Sequence, residues 1–167
     1  MLSKPLPDAE AQVAELAAKI RPDLTADTAL VGIFSGGAWL AERLREVLGI
    51  DAPVGMIDVS FYRDDFGEKG LHPQVKPTSI PFEVEGRHLI LVDDVLYTGR
   101  TTRAALNEIF DYGRPAAVDL AVLADRGGRE LPIAAQYCVW DVELDDGEEL
   151  ILEKDEGGTL SWKLGTL

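Results

Sequence analysis

One stretch, residues 89–101, limits the folds open to this chain more than any other. It reads Leu89-Ile90-Leu91-Val92-Asp93-Asp94-Val95-Leu96-Tyr97-Thr98-Gly99-Arg100-Thr101. Four consecutive apolar residues followed by two carboxylates are typical of a strand that is buried on both faces in a parallel sheet and opens to a ligand at its carboxyl end. The stretch therefore predicts an α/β fold in which a central strand carries Asp93 and Asp94 to a site.

The residues after the acid pair form a candidate anion site. Thr98-Gly99-Arg100-Thr101-Thr102 offers a small turn, hydroxyl groups and backbone N–H groups at the start of a helical run that continues to Asp111. A helix start of this kind can hold a phosphate, because its N–H groups and its dipole favour negative charge. Carboxylates repel phosphate, so a ligand that satisfies both needs a phosphate at one end and hydroxyls or a bound cation beside the acids. A phosphorylated sugar fits this description.

Residue types alone leave other interpretations of the acid pair open. Such a pair also occurs on the magnesium strand of nucleotide hydrolases and in receiver domains, and two acids can merely cap the following helix. A nucleotide hydrolase would need a Gly-x-x-x-x-Gly-Lys-Ser/Thr loop upstream, and the glycine turn at residues 34–39 has no lysine. Helix capping would explain one carboxylate but not the hydroxyl-rich segment that follows.

The rest of the chain alternates strand and helix patterns. Helices are predicted from the N-cap Asp8 to Ile20 and from the glycine turn to Leu48, where Gly49 ends the helix. Strands are predicted at residues 29–34, 53–61, 117–123 and 136–140, and antiparallel hairpins at residues 142–144, 149–152 and 160–164. This order predicts one domain over residues 1–167, an open parallel sheet flanked by helices with a small antiparallel hairpin region at about residues 141–165.

Composition limits the cellular compartments and the binding partners that we expect for this chain. With 46% hydrophobic residues among 167, the chain can bury one core. The single cysteine, Cys138, excludes an internal disulfide and a cysteine-based zinc site. With no leader pattern and no long apolar run, we expect a soluble, cytoplasmic protein that does not bind membranes. The net charge of −14 opposes non-specific attraction to nucleic acid.

Three segments together resemble the PyrR branch of the type I phosphoribosyltransferases. The run from Val92 to Leu106 resembles the superfamily's signature for 5-phosphoribosyl 1-diphosphate (PRPP). Ser60-Phe61-Tyr62-Arg63-Asp64-Asp65 and the run from Gly113 to Ile133, which contains Asp125-Arg126-Gly127-Gly128-Arg129, agree with PyrR sequences. The resemblance implies a type I phosphoribosyltransferase fold with a small hood, and an activity that forms UMP and pyrophosphate from uracil and PRPP. In some members it also implies mRNA-binding control of pyrimidine genes.

The resemblance implies a role for each candidate residue. Asp93 and Asp94 would hold the ribose hydroxyls and a Mg²⁺ ion, directly or through water, and would act as catalytic carboxylates. Arg63 would begin a lid loop at about residues 63–80 and supply a catalytic cation. The substrate-binding residues would be Ser35, Gly36 and Gly37 on pyrophosphate, Val95, Leu96, Tyr97, Thr98, Gly99, Arg100, Thr101 and Thr102 on the phosphorylated ribose, and Arg126 near the base.

The glycine turn departs from the family pattern. Phe34 and Gly36 stand where relatives often carry basic residues, so we expect weaker pyrophosphate binding here. For the same reason an arginine at position 36 is expected to tighten pyrophosphate binding, provided that the loop geometry admits a side chain.

Three alternatives to a uracil transferase stay open. They are a phosphoribosyltransferase for another base, a regulator that senses UMP or another nucleotide with weak catalysis, and an mRNA-binding regulator. The last would need a local basic patch, for which Arg100, Arg103, Arg114 and Arg129 are candidates despite the acidic net charge. The expected partners are PRPP, uracil, UMP and pyrophosphate, no tight RNA complex is expected, and a homo-oligomer, a dimer or larger, is expected.

Overall fold

Seven strands and three α-helices make up the part of the chain that this computed structural model describes, residues 5–59 and 78–166. The helices are α1 (Ala9–Ile20), α2 (Gly36–Leu48) and α3 (Arg100–Phe110), and a 3-10 turn at Arg21–Asp23 follows α1. The strands are β1 (Ala29–Ile33), β2 (Gly55–Ile57), β3 (His88–Leu96), β4 (Ala117–Asp125), β5 (Tyr137–Asp141), β6 (Glu148–Lys154) and β7 (Leu160–Thr166).

Five of the strands form a parallel sheet in the order β2-β1-β3-β4-β5. In its centre Val31 lies opposite Leu91, and Leu91 lies opposite Leu120. Strand β1 is buried along its whole length, as expected for a strand covered on both faces. Because the strands run in the same direction, their carboxyl ends meet at one edge, which is where open α/β sheets bind ligands. The predicted fold class is confirmed.

Helices cover both faces of this sheet. On one face, Leu16 of α1 and Leu44 of α2 share a buried cluster with Ile90 of β3, and the β6–β7 hairpin packs into the same cluster. On the other face, Ile109 of α3 shares a second cluster with Leu91. Ile90 and Leu91 serve opposite clusters because successive side chains alternate across a strand. Among the described residues, none of the helices is long and apolar enough to cross a membrane.

Local signals set the helix ends as the sequence predicts. The Asp8 side chain caps α1 by accepting a hydrogen bond from Glu10 N at 3.0 Å. Helix α2 ends at Gly49, whose φ of 68° is left-handed and whose N–H donates to the Arg45 carbonyl at 2.9 Å. Glycine adopts this conformation at no steric cost, which explains the sharp stop.

Two strand boundaries differ from the prediction. Strand β3 does not end before the acid pair but continues to Leu96, because β4 extends to Asp125 and pairs along this whole length. The predicted strand at residues 142–144 is wrong. Although this segment contains apolar residues, β5 ends at Asp141 opposite Asp125, the last residue of β4, and none of the described strands extends further beside it.

Two further predicted segments are shorter in the structure or fall outside it. Of the predicted strand at residues 53–61, the structure shows β2, Gly55–Ile57. Residues 60 and 61 lie outside the described residues. Most of the predicted lid, through residue 77, lies outside the described residues. Of the predicted hairpins, β6 and β7 form an antiparallel pair in which Leu152 lies opposite Trp162.

The β6–β7 hairpin is tied to α1 and α2 by polar contacts. Glu10 in α1 accepts hydrogen bonds from the Arg43 guanidinium, with Nη1 at 3.0 Å, and from Leu160 N at 2.7 Å. Close by, the buried amide of Gln12 accepts a hydrogen bond from Trp162 Nε1 at 2.6 Å. These bonds fix the hairpin to the helical face of the sheet, because breaking any of them would leave a partly buried polar group without its partner.

Glu10→Gln is expected to destabilise the protein by about 1 kcal/mol at pH 7, because a charged and partly exposed contact is replaced by a neutral one. The Arg43 side chain lowers the pKa of Glu10 below its ordinary value. The lowered pKa stabilises the fold above the unfolded pKa, and this contribution is lost as the pH falls through the folded pKa. Urea unfolding at pH 7 and at pH 3 should therefore show a difference from the unsubstituted protein that shrinks in acid. Glu15→Gln, on the exposed side of α1, is the matched control.

Candidate active site

A cleft at the carboxyl edge of the parallel sheet gathers most of the predicted site residues. Its volume is about 390 Å³. One wall contains Ser35 and Gly36 at the start of α2, a second contains residues 93–102, and a third contains Trp39 with residues 149–152 of β6. The first two walls were predicted from the sequence. The third was missed, because the approach of the hairpin to the sheet edge depends on tertiary packing and has no local sequence signal.

The acid pair lies in the carboxyl half of β3, and both side chains are partly buried. Asp93 Oδ1 accepts a hydrogen bond from Asp94 N, and Asp94 Oδ1 accepts one from Val95 N, each at 2.8 Å. The backbone thus orients both carboxylates. An ionised carboxylate can accept up to about four hydrogen bonds, and adjacent carboxylates of this kind suit hydroxyl groups or a hard cation.

The two glycines at the start of α2 allow the helix to approach the acid pair closely. A Cβ atom at Gly36 would overlap Asp94 Oδ2 and lie 2.8 Å from Asp94 Cγ. A Cβ atom at Gly37 would overlap the Val92 carbonyl oxygen and lie 3.0 Å from Asp93 Cα. Gly37 therefore permits contact between the helix and the backbone of β3, and Gly36 makes room for a carboxylate. The Phe34–Ser35 peptide bond just before them is cis.

The second wall ends in a turn that opens α3. Gly99 has a left-handed φ of 95°, and α3 begins at the next residue. Thr98 and Thr102 are buried, and Thr98 Oγ1 accepts a hydrogen bond from Arg100 N at 3.2 Å. The first N–H groups of an α-helix have no carbonyl partner within the helix, so the start of α3 presents N–H donors beside the cleft. This geometry is suited to an anion.

Arg126 lies outside the walls of this cleft. Its guanidinium stacks on Tyr97, with Cζ 3.9 Å from the ring centroid, and a Cβ atom at Gly128 would lie 2.5 Å from Cε1 of the same ring. The Nε atom of Arg126 is buried and has no hydrogen-bond partner within the described part of the chain. A buried donor of this kind calls for an acceptor, which a ligand can provide.

A second cavity of about 510 Å³ contains Arg126 in its lining. The other residues that line it are Asp125, Gly127, Arg129, Asp141, Val142 and Glu143. Leu96 lies opposite Asp125 and Asp125 lies opposite Asp141, so the cavity and the cleft are neighbours along the same edge of the sheet. Strand spacing puts the ends of β3 and β5 only about 10 Å apart.

The oxygen donors of the cleft suit a Mg²⁺ ion that takes most of its ligands from phosphate oxygens and water. Within residues 5–59 and 78–166, no group of three or more His, Cys, Asp and Glu side chains could hold a metal ion. The two neighbouring carboxylates, Asp93 and Asp94, are hard oxygen donors, and Mg²⁺ typically takes one or two carboxylates together with phosphate oxygens and water. Arg63, the other predicted catalytic residue, lies outside the described residues.

Comparison with known proteins identifies the family. The family model "Phosphoribosyl transferase domain" matches residues 4–147. A relative named Bifunctional protein PyrR from Ralstonia nicotianae is 52% identical over 155 residues, which cover 90% of this chain and 88% of the relative. One of the same name from Pseudomonas fluorescens is 54% identical over 132 residues, covering 77% of this chain and 79% of the relative. The chain belongs to the PyrR family of phosphoribosyltransferases.

Solved structures support the fold of this PyrR-family protein. A hypoxanthine-guanine phosphoribosyltransferase from Bacillus anthracis superposes with a TM-score of 0.66 at 22% identity, covering 85% of this chain and 86% of the other. A purine phosphoribosyltransferase from Pyrococcus horikoshii gives a TM-score of 0.62 at 28% identity, with coverage of 80% and 82%. The type I phosphoribosyltransferase fold inferred from residues 89–101 is thus confirmed.

Two of the four arginines considered for a basic patch are paired with carboxylates. Arg129 bonds Asp125 with Nη2 2.6 Å from Oδ2, and Arg100 Nε lies 2.8 Å from Glu130 Oε1. Pairing of this kind cancels part of the positive field that would attract the phosphates of RNA. These two arginines therefore offer less uncompensated positive charge than the sequence alone suggests.

Proposed function

We propose that this PyrR-family protein transfers the phosphoribosyl group of PRPP to uracil, forming UMP and releasing pyrophosphate. The observation that carries the proposal is the cleft, in which a carboxylate pair lies between two helix starts, that of α2 and that of α3. PRPP has the matching chemistry, since it carries a phosphate at one end, a diphosphate at the other and ribose hydroxyls between them. We assign the chain to a single phosphoribosyltransferase domain.

The phosphorylated ribose would occupy the second wall. The 5′-phosphate would accept hydrogen bonds from backbone N–H groups and hydroxyls of residues 98–102, where Thr98 and Thr102 are buried and therefore already ordered. Residues 95–97 would border the ribose, since they lie in the cleft between the acid pair and the turn. A pre-ordered cradle lowers the entropic cost of binding, which favours tight binding of the phosphate.

Asp93 and Asp94 would bind the ribose hydroxyls. Backbone N–H groups orient both carboxylates before the substrate arrives. During transfer, the bond between the anomeric carbon and the pyrophosphate oxygen breaks and a bond to a uracil nitrogen forms, while that nitrogen releases its proton to water. The sugar ring gains positive charge as the leaving group departs, and fixed carboxylates stabilise such charge without reorganising.

Pyrophosphate would lie at the start of α2, on Ser35, Gly36 and Gly37. Two of these residues line the cleft, and the missing side chains of the glycines expose the backbone of the first helical turn. In this chain no basic residue stands at positions 34–37, so backbone N–H groups would provide the protein's contribution to binding there. Mg²⁺, bound beside Asp93 and Asp94, would supply the positive charge that neutralises the diphosphate.

Uracil would enter from the neighbouring cavity that Arg126 lines. The unpartnered Nε of Arg126 is a donor, and the carbonyl oxygens of uracil are acceptors. The cavity borders the cleft at the carboxyl edge of the sheet, so a base held there would lie beside a ribose bound at Asp93 and Asp94. Other oxo-bases share these acceptors, so the choice of uracil depends on the family assignment.

The decisive experiment measures pyrophosphate release from PRPP and Mg²⁺ with uracil, orotate, hypoxanthine, guanine and adenine. We expect uracil to give the largest kcat/KM. A larger value with another base would reassign the acceptor and leave the PRPP site intact. Binding of UMP in calorimetry without pyrophosphate release from any base would instead support the nucleotide-sensing alternative.

We further propose that the protein acts as a homo-oligomer in the cytoplasm. Phe110 and Tyr112, at the end of α3, are 56% and 47% exposed and offer apolar surface for association. Sedimentation over a range of micromolar concentrations tests for the oligomer, and a monomer at every concentration would refute it.

A further inference from the structure

One arginine outside the cleft joins the three segments that support the turn before α3. Arg129 Nε donates to the Ile133 carbonyl at 2.8 Å. Nη1 donates to the Tyr97 carbonyl at 2.8 Å and to Asp125 Oδ1 at 3.0 Å, and Nη2 donates to Asp125 Oδ2 at 2.6 Å. A single guanidinium therefore links the end of β3, the end of β4 and the loop between β4 and β5.

The contact with Tyr97 determines the orientation of a peptide group in the phosphate turn. The Tyr97 carbonyl and the Thr98 N–H belong to the same planar peptide, so an anchor on the oxygen also fixes the direction of the N–H. The next carbonyl, that of Thr98, accepts hydrogen bonds from Glu130 N at 2.9 Å and Leu131 N at 3.1 Å. Both peptide carbonyls at the start of the turn are thus held by residues 129–131.

The same loop also supports Gly99. A Cβ atom at Gly99 would lie 3.0 Å from Ile133 Cγ1, so the side chain of Ile133 packs directly against the turn. Ile133 is itself held by Arg129 through its carbonyl. Arg129 therefore acts on the turn from two sides, through the Tyr97 peptide and through the loop that packs behind Gly99.

The charge of Arg129 is already balanced within the protein. The Arg129 side chain lowers the pKa of Asp125, and Asp125 in turn raises the pKa of Arg129, so the pair stays ionised over the neutral range. With its guanidinium shared among one carboxylate and two carbonyls, Arg129 is not among the residues that line the cleft. Its influence on a ligand there must pass through the backbone that it holds.

We propose that Arg129 is a positioning residue that pre-orders the turn at residues 98–102 for the 5′-phosphate. The proposal rests on the assignment of that turn as the phosphate cradle. Backbone donors bind an anion tightly only when they already point at it, because ordering a loop on binding costs free energy. Arg129 removes that cost, which separates its role in the cleft from those of the residues that touch the phosphorylated ribose, although Arg129 also lines the neighbouring cavity.

Arg129→Met keeps the length of the side chain and removes its donors. We expect the KM for PRPP and the Kd of UMP to rise about tenfold, as for the loss of one or two ordinary hydrogen bonds, while kcat at saturating PRPP and uracil changes by less than about twofold. Arg129→Lys, which can still donate to one of the carbonyls and pair with Asp125, should restore part of the loss. Arg114→Met, at an exposed arginine after α3, is the matched control and should behave like the unsubstituted protein.

The outcomes separate the role of Arg129 from the cradle itself. If the unsubstituted protein binds neither PRPP nor UMP, the assignment of residues 98–102 as the phosphate cradle is wrong, and the role proposed for Arg129 is refuted as well. If the unsubstituted protein binds both and Arg129→Met binds them equally well, only the role of Arg129 is refuted. A fall in kcat as large as the rise in the KM for PRPP, with partial unfolding in circular dichroism, would mark a general structural role and would also refute positioning. Arg129→Lys keeps the test valid if the Met variant does not fold.

Discussion

Asp94→Asn is expected to lower kcat for UMP formation by about 10²–10³-fold, the usual effect of removing one fixed electrostatic group. Asparagine keeps the oxygen that accepts the hydrogen bond from Val95 N, so the end of β3 should keep its geometry. What is lost is the negative charge that we propose lies beside the ribose ring. We therefore expect a large fall in pyrophosphate release with a melting temperature close to that of the unsubstituted protein.

A matched substitution tests whether the effect is local. Asp146→Asn makes the same chemical change in the exposed turn before β6 and should leave kcat unchanged. Turnover by Asp94→Asn close to that of this control would remove Asp94 from the catalytic machinery. A fall in turnover that is accompanied by loss of the folded state would leave stability, not charge, as the cause.

Gly36→Ala is expected to lower turnover by about 10²-fold, because a misplacement of about 1 Å at a catalytic group can have that effect. The added methyl group would overlap Asp94 Oδ2 and force the carboxylate to move. The φ of Gly36 is not left-handed, so the backbone itself accepts alanine. Activity should fall far more than stability, which kinetic and thermal measurements on one sample can show.

The same overlap changes the expectation for Gly36→Arg. The sequence alone suggested that an arginine here would tighten pyrophosphate binding, yet its Cβ would meet Asp94 as alanine does. We now expect both variants to lose activity. Gly157→Ala, in the β6–β7 turn, where the nearest atom to an added Cβ is Asp155 Oδ1 at 3.4 Å, is the control.

A double substitution checks the cause of this loss. In the Asp94→Asn background, Gly36→Ala should add little, because the two changes act on one carboxylate. Additive losses in the double variant would contradict the steric explanation and would point to a separate role for Gly36, for instance on pyrophosphate.

Much of the fold could be predicted because its signals are local. The apolar run at residues 89–92 predicted the central strand, and Asp8 and Gly49 predicted helix ends. Residues 98–102 predicted a turn at the start of a helix. Each of these features depends on the residue types within a few positions. The cleft walls that these segments form follow from the topology of a parallel sheet, since all the strand ends meet at one edge.

The features that could not be predicted depend on contacts between distant segments. The contact between Gly36 and Asp94 depends on how closely α2 packs against β3, and periodicity does not report that distance. The partners of Arg129 are carbonyl groups, which every residue has, so no sequence pattern marks them. The failure of residues 142–144 to form a strand likewise depends on where β4 ends, not on the residues themselves.

The attachment of the β6–β7 hairpin has a consequence for the order of folding. The bond from Leu160 N to Glu10 joins residues 150 positions apart, and the same separation divides Trp162 from Gln12. Contacts this distant in sequence form slowly, because the entropy of closing the intervening chain must be overcome before they contribute. The parallel sheet, whose neighbouring strands are closer in sequence, can assemble first. We therefore expect the strand ends with their carboxylates to assemble before the third wall of the cleft.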